Sequence, residues 1–127
     1  DAAGNRTGIS QDLSGSWTGT AEYSGSLGAV YVQPLGSMVW FTELDVNFTD
    51  DYIYTGDIDP IDFQEGLERI NLRTGLRGDN WMLMLYGRNI TDESIRTGGA
   101  DVPLARGSHM SYYARGEVWG IQAAWNF

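Results

Sequence analysis

The feature that most constrains this chain is a two-residue alternation of apolar and polar side chains, which runs in segments of about ten residues. In the clearest segment, 38–48, Glu43, Asp45 and Asn47 alternate with apolar or threonine side chains. Successive side chains of a β-strand point to opposite faces, so this pattern predicts a strand with one apolar and one polar face. The same period predicts further strands at 24–33, 68–77, 81–89 and 117–127.

The connections between these strands are alternately short and long. Short ones span 34–37 and 77–80, and long ones span 50–66 and 91–116. This asymmetry is typical of a transmembrane β-barrel, which has short turns on one side and long loops on the other. The predicted fold class is therefore all-β, with antiparallel up-and-down strands that form part of such a barrel. A soluble β-sandwich has the same period, so this fold remains an alternative. The predicted strand at 81–89 is apolar on both faces, so polarity does not show which of its faces would turn inward.

The composition excludes several classes of protein. The 127 residues carry a net charge of −9, and all eight basic residues are arginine, which argues against a nucleic-acid partner. With no cysteine, disulfides and thiolate metal sites are excluded. His109 is the only histidine, so one chain cannot build a histidine metal cluster. The region 1–20 is rich in Gly, Ser and Thr and predicts a loop. We predict no catalytic residue and no enzyme activity.

Charged side chains on the predicted strands have two interpretations. Glu43 and Asp45 could form a carboxylate pair for glycoside hydrolysis. Because they are two positions apart on one strand face, the sequence favours a polar lumen in which arginines supply the counter-charges. Those arginines are Arg69, Arg73 and Arg88, and the alternative for them is an anion-binding ladder for a substrate.

Acidic and aromatic side chains of the long connections are candidate ligand contacts. Asp57, Asp59 and Asp62 are oxygen ligands suited to Ca²⁺, but they lack the glycine and the third acid of an EF-hand loop. A solvated, acidic external loop without a metal or other cofactor is therefore favoured. Four tyrosines could stack on a sugar or aromatic ligand, or could belong to an interfacial belt: Tyr52, Tyr54, Tyr112 and Tyr113.

Three stretches go beyond this pattern. They are the segment 23–36, the run Arg77-Gly-Asp-Asn-Trp81 followed by Gly87-Arg-Asn-Ile-Thr-Asp-Glu93, and a last segment with alternate apolar residues from Trp119 to a final Phe127. Together they resemble the C-terminal part of TonB-dependent outer-membrane receptors, and the middle stretch is the most specific. The resemblance covers most of residues 12–127.

The resemblance implies a plugged barrel of roughly 22 strands that imports a scarce nutrient with energy from the inner membrane. Its cargo would be a siderophore, cobalamin or an oligosaccharide. Residues 1–127 would then be a C-terminal segment of the barrel, with 1–20 in an external loop. The implied partners are outer-membrane lipid, the rest of the barrel and its plug, and the TonB complex, which would be reached through a missing N-terminal part. The implied lipid-facing and assembly residues of the last strand are Trp119, Ile121, Ala123, Trp125 and Phe127.

Two rival interpretations remain open from the sequence. One is a secreted, soluble β-sandwich that binds carbohydrate, in which a second sheet would bury the apolar side of the last strand. The other keeps the membrane but closes the barrel with several copies of a five-stranded unit, because open sheet edges in lipid leave backbone groups unsatisfied.

Overall fold

The computed structural model describes residues 19–55 and 60–127, which form β-strands and one single-turn 3-10 helix at Pro60–Asp62. The predicted all-β, antiparallel class is confirmed. Among these residues, no helix is long and apolar enough to cross a membrane. The strands are β1 (Ser24–Leu35), β2 (Met38–Thr49), β3 (Tyr52–Ile53), β4 (Phe63–Gln64), β5 (Leu67–Arg77), β6 (Trp81–Arg88), β7 (Arg96–Asp101), β8 (His109–Tyr113) and β9 (Val118–Trp125).

The five long strands form one antiparallel sheet in the order β1-β2-β5-β6-β9. The predicted antiparallel pairing of the second and third long strands is confirmed, with Glu43 opposite Arg73. Within the described residues the sheet is open, so β1 and β9 are its two edges. Strands β3 with β4 and β7 with β8 form two separate short ladders inside the long connections.

The two short connections lie at one end of the sheet and the two long ones at the other, because neighbouring strands are antiparallel. Gly36 adopts a φ of +66°, a conformation that favours glycine, and this permits the tight turn between β1 and β2. The turn between β5 and β6 is closed by a 2.9 Å hydrogen bond from Gly78 N to Trp81 O. We call the end with the long connections the loop end.

The register gives the sheet two chemically different faces. The register also shows which face each side chain of β6 lies on, which their polarity alone could not do. Tyr86 lies opposite Arg73 on one face, and Leu83 lies opposite Leu76 on the other. We call one side the charged face; its polar members are Glu43, Asp45, Asn47, Arg69, Asn71, Arg73, Arg77, Tyr86, Arg88 and Gln122. We call the other the apolar face; its main members are Leu27, Tyr31, Trp40, Leu44, Val46, Phe48, Ile70, Leu72, Leu76, Trp81, Leu83, Leu85, Trp119, Ile121, Ala123 and Trp125.

The apolar face is uncovered. Ile121 is 75% exposed and Leu27 is 67% exposed, and Trp119, Ala123 and Trp125 are exposed as well. The described residues form no second sheet over this face. In the part of the chain that the structure describes, Ile53 is the only buried hydrophobic residue, and it lies in β3 rather than in the long sheet. These residues therefore build a sheet without a packed core of their own.

Two details of the sequence prediction differ from the structure. The long connections contain short ladders, which the sequence does not predict because strands of two to six residues are too short to show a sustained alternation. The last strand ends at Trp125, so Phe127 lies beyond it and is fully exposed. One further backbone hydrogen bond, from Asn126 N to Asn80 O in the β5–β6 turn, continues the pairing past Trp125. Residues 1–18, most of the predicted external loop, and the aspartates Asp57 and Asp59 lie outside the described residues.

Candidate functional site

An ion pair lies at the centre of the charged face. Arg73 Nη1 is 3.1 Å from Glu43 Oε2, across the β2–β5 pairing that places the two residues opposite each other. Both side chains are about half exposed, so solvent screens the attraction. The pair therefore contributes under about 1 kcal/mol to stability and acts mainly to neutralise charge on this face.

Asp45 is held by amides rather than by an arginine. It lies opposite Asn71, and its Oδ1 accepts hydrogen bonds from Asn47 Nδ2 at 2.5 Å and Asn71 Nδ2 at 3.0 Å. Asn71 Oδ1 in turn accepts a 3.1 Å bond from the backbone N–H of Asn89, at the end of β6. Arg69 lies opposite Asn47, so the structure brings only one of the two predicted carboxylates to an arginine.

Four arginines line one cavity at the loop end of the charged face. The cavity measures about 430 Å³ and also contacts Asn71, Tyr86 and Asn89. We call it the arginine cavity; its cationic lining consists of Arg69, Arg73, Arg88 and Arg115. Sequence reasoning proposed the first three and missed Arg115, because this residue directly precedes the last strand and takes part in no alternation.

Aromatic side chains bound the apolar face at both ends. Trp40, Trp81 and Trp125 lie near the short turns, and Phe48 and Trp119 lie near the loop end. Trp40 and Phe48 are eight positions apart, or about 26 Å at the rise of an extended strand. The six positions from Trp119 to Trp125 span about 20 Å. The apolar face is thus a band of aliphatic side chains between two aromatic borders.

The two long connections are joined by a cluster that we call the loop lock, formed by Thr55, Asp62, Asp101 and His109; Asp62 and His109 are its buried centre, and Asp101 is exposed. Asp62 is fully buried; its Oδ1 is 2.8 Å from His109 Nε2, and its Oδ2 accepts a 2.6 Å bond from the Thr55 hydroxyl. This Asp62–His109 contact is a close polar contact and not a well-formed hydrogen bond, since neither buried atom has a hydrogen-bond partner. His109 Nδ1 lies 3.3 Å from Asp101 Oδ1.

The loop lock corrects the sequence prediction for one of the acidic loop residues. The interpretation of Asp62 as part of a solvated acidic loop is wrong, because its side chain has no exposed surface. The sequence could not show this, since the histidine that faces Asp62 comes from the other long connection. Within residues 19–55 and 60–127, no group of three His, Asp or Glu side chains is arranged to hold a metal ion.

Arg96 brings together two of the four tyrosines that the sequence singled out. Its guanidinium donates to the carbonyl oxygens of Ile61 at 3.1 Å and Phe63 at 3.2 Å. The same group lies 5.9 Å from the ring centroids of both Tyr54 and Tyr113, within the range of cation–π attraction. Hydrogen bonding to Tyr113 is the main cause that raises the pKa of Arg96, which therefore stays charged.

The other two tyrosines are placed differently. Tyr112 is exposed, and its hydroxyl contacts the Met110 sulfur at 3.4 Å. Tyr52 is half-buried in β3, and this burial raises the pKa of its hydroxyl above the ordinary value of 10.0, so it stays protonated at neutral pH. The structure therefore does not collect the four tyrosines into one stacking platform.

Replacing His109 with glutamine is expected to open the loop lock while leaving the long sheet intact. The variant keeps a polar side chain but removes the imidazole ring that contacts Asp62 and Asp101. We expect about a tenfold rise in amide hydrogen exchange of β3, β4, β7 and β8, the loss expected for one buried charge-assisted contact. Arg106→Gln, at an exposed position in the same connection, is the matched control and should leave exchange unchanged. Equal exchange in the wild type and both variants would show that the lock does not hold the loops.

Comparison with known proteins does not connect this geometry to an established family. No protein-family model, no curated protein and no solved structure matches the chain.

Proposed function

We propose that this chain is part of the wall of a bacterial outer-membrane β-barrel receptor, which takes up a scarce nutrient by energy-coupled transport. The observation that carries the proposal is the uncovered apolar face, bordered by aromatic side chains about 20–26 Å apart. Outer-membrane barrels carry an outward apolar band about 25 Å tall with aromatic girdles at both interfaces. The dimensions and chemistry of the apolar face agree with that band.

Hydrocarbon is the environment that best suits such a face. Soluble monomers rarely expose a contiguous apolar patch larger than a few hundred Å². The apolar face spans five strands, and residues as large as Ile121 and Trp125 are more than half exposed on it. A soluble β-sandwich would need a second sheet over this face, and the described residues supply none. Lipid would cover it without a second sheet.

The charged face suits the water-filled side of the same wall. It carries the Arg73–Glu43 ion pair and the amide contacts of Asp45 directly behind the apolar side chains. Alternation of lipid-facing apolar and lumen-facing polar residues along each strand is the pattern of these barrels. In this arrangement Glu43, Asp45, Arg69, Arg73 and Arg88 would line the lumen.

The proposal requires further barrel strands because the five-stranded sheet has two open edges. In hydrocarbon, each backbone N–H or C=O group of an unpaired strand that has no hydrogen bond costs several kcal/mol of free energy. Strands β1 and β9 each have one unpaired side among the described residues. We propose that strands of the rest of the receptor pair with these edges. The plug, the TonB complex and a siderophore, cobalamin or oligosaccharide cargo follow from the resemblance to TonB-dependent receptors.

The test is the location and detergent dependence of the full-length protein. In a Gram-negative host we expect it in the outer-membrane fraction, resistant to extraction with alkaline carbonate. An unheated sample should migrate faster in a gel than a boiled one, because folded barrels resist the detergent. A folded, monomeric β-protein that stays in buffer without detergent would contradict the proposal and favour the soluble binding module.

A further inference from the structure

We propose that the arginine cavity binds a small polyanion carrying carboxylate or phosphate groups, and that this is the recognition site for an anionic part of the cargo. The inference rests on the proposed function, because it takes the charged face as the side that meets cargo. It narrows the cargo to ligands with at least two negative groups.

The first observation is a local reversal of charge. Four of the eight arginines line this one cavity, whereas no aspartate or glutamate within residues 19–55 and 60–127 does. Because the chain as a whole carries a charge of −9, a random distribution of charged residues would place more acidic than basic side chains around a cavity. Arg69 and Arg73 come from β5, Arg88 ends β6, and Arg115 precedes β9. Three neighbouring strands thus direct cations to the same place.

The second observation is that most of these cations have no anionic partner. Arg73 pairs with Glu43, but in the part of the chain that the structure describes no carboxylate lies within 4.0 Å of Arg69, Arg88 or Arg115. Arg88 only approaches the ring of Tyr86, at 5.6 Å from its centroid. The alternative interpretation of these arginines, as counter-charges of lumenal carboxylates, accounts only for Arg73, because Glu43 pairs with Arg73 and Asp45 is held by Asn47 and Asn71.

Acidic side chains at the same end of the sheet gather elsewhere. A separate cavity is lined by Asp50, Asp51, Glu65, Glu68 and Glu93 and by no arginine. Apart from the Arg73–Glu43 pair, the two signs of charge are therefore segregated at this end of the sheet. An anion approaching the loop end would be repelled by the acidic cavity and attracted by the arginine cavity, which favours entry on the charged face.

The chemistry of guanidinium defines the ligand class. Its planar fork of N–H donors matches carboxylate and phosphate oxygens and binds them with two parallel hydrogen bonds. The cavity has three guanidinium groups without a carboxylate partner, and these fit a ligand with two or three anionic groups. The volume of about 430 Å³ lies in the range of small-molecule sites. Asn71 and Asn89, which also line the cavity, already donate from their side-chain amides to Asp45 Oδ1 and to the Glu93 carbonyl oxygen, which leaves the arginines as the main recognition groups.

The test is a binding titration on the full-length protein in detergent micelles, with citrate and pyrophosphate as polyanions and maltotriose as a neutral comparison. We expect saturable binding of at least one polyanion, weakened by added salt, and no comparable binding of maltotriose. Arg69→Gln, Arg88→Gln and Arg115→Gln should each lower the affinity about tenfold, as for loss of one charge-assisted contact. The matched control is Arg77→Gln, on the same face but outside the arginine cavity, which should change affinity less than twofold.

The outcomes separate this inference from the proposed function. Binding of citrate alone would assign a carboxylate ligand, and binding of pyrophosphate alone a phosphate ligand. Failure of both polyanions to bind would overturn the anion site, as would unchanged affinity in all three arginine variants. Heat-modifiable migration of the same preparation would show that the barrel proposal still stands in that case. A protein that is folded and monomeric in buffer would instead refute the barrel proposal itself.

Discussion

Replacing Ile121 with arginine is expected to destabilise the proposed outer-membrane barrel by about 2–4 kcal/mol, the cost of a cation on the lipid face near the bilayer midplane. Ile121 lies between Trp119 and Trp125 on the apolar face of β9, two positions from the first and four from the second. The measurement is a urea unfolding titration of the full-length protein in lipid vesicles. This is a large effect for a side chain that is 75% exposed, because exposed positions in water usually tolerate substitution within about 0.5 kcal/mol.

The adjacent residue provides the matched control. Gln122 is on the same strand but on the charged face, opposite Met84. Gln122→Arg places the same cation one position away in the proposed lumen, so we expect a change below about 0.5 kcal/mol. Similar small effects for both variants would mean that the apolar face meets water, and large effects for both would mean that β9 is packed on both sides by protein.

Replacing Gly75 with alanine is expected to destabilise the pairing of β5 with β6 by about 1–3 kcal/mol, the usual range for overpacking. A methyl group at this position would overlap the backbone carbonyl of Leu83 and would lie 2.9 Å from Met84 Cα. Backbone atoms cannot rotate away as a side chain can, so the two strands would have to separate. The variant should show a smaller heat-resistant fraction and a lower midpoint of urea unfolding.

Gly28 is the control for this prediction. It is also a glycine of the charged face, in β1, but a methyl group there would meet only the Leu44 carbonyl oxygen at 4.0 Å. Gly28→Ala is therefore expected to leave stability unchanged or to raise it slightly, because glycine weakens a strand interior. If the two alanine variants unfolded at the same urea concentration, the close approach of β5 and β6 would be contradicted.

The long strands could be predicted from the sequence because their alternation carries the structural information locally. Glu43, Asp45 and Asn47 alternate along β2, and one buried or lipid-covered face fixes the register of such a strand. The strand β6 shows the limit of this reasoning. Its side chains are apolar on both sides, and only pairing with β5 assigns Leu83 to the apolar face.

The loop lock and the place of Arg115 in the arginine cavity could not be predicted for a different reason. Asp62 and His109 belong to separate connections, and Arg115 joins Arg69 only through the order of the strands. Residues that meet through topology leave no periodic signal in the sequence. The amino-acid sequence shows a single histidine and no lysine, but neither feature indicates which side chains lie together in the fold.

The measurement that tests the central claim most directly is the environment of alternate residues along β9. Residues 1–127 contain no cysteine, so single cysteines at positions 121–124 are the only labelling sites in this segment, and each can carry one fluorophore. In vesicles containing the full-length protein, we expect lipid-attached quenchers to act at 121 and 123, and aqueous iodide to act at 122 and 124. Quenching without this alternation, or no lipid quenching at any of the four positions, would contradict a sheet with lipid on one face and water on the other.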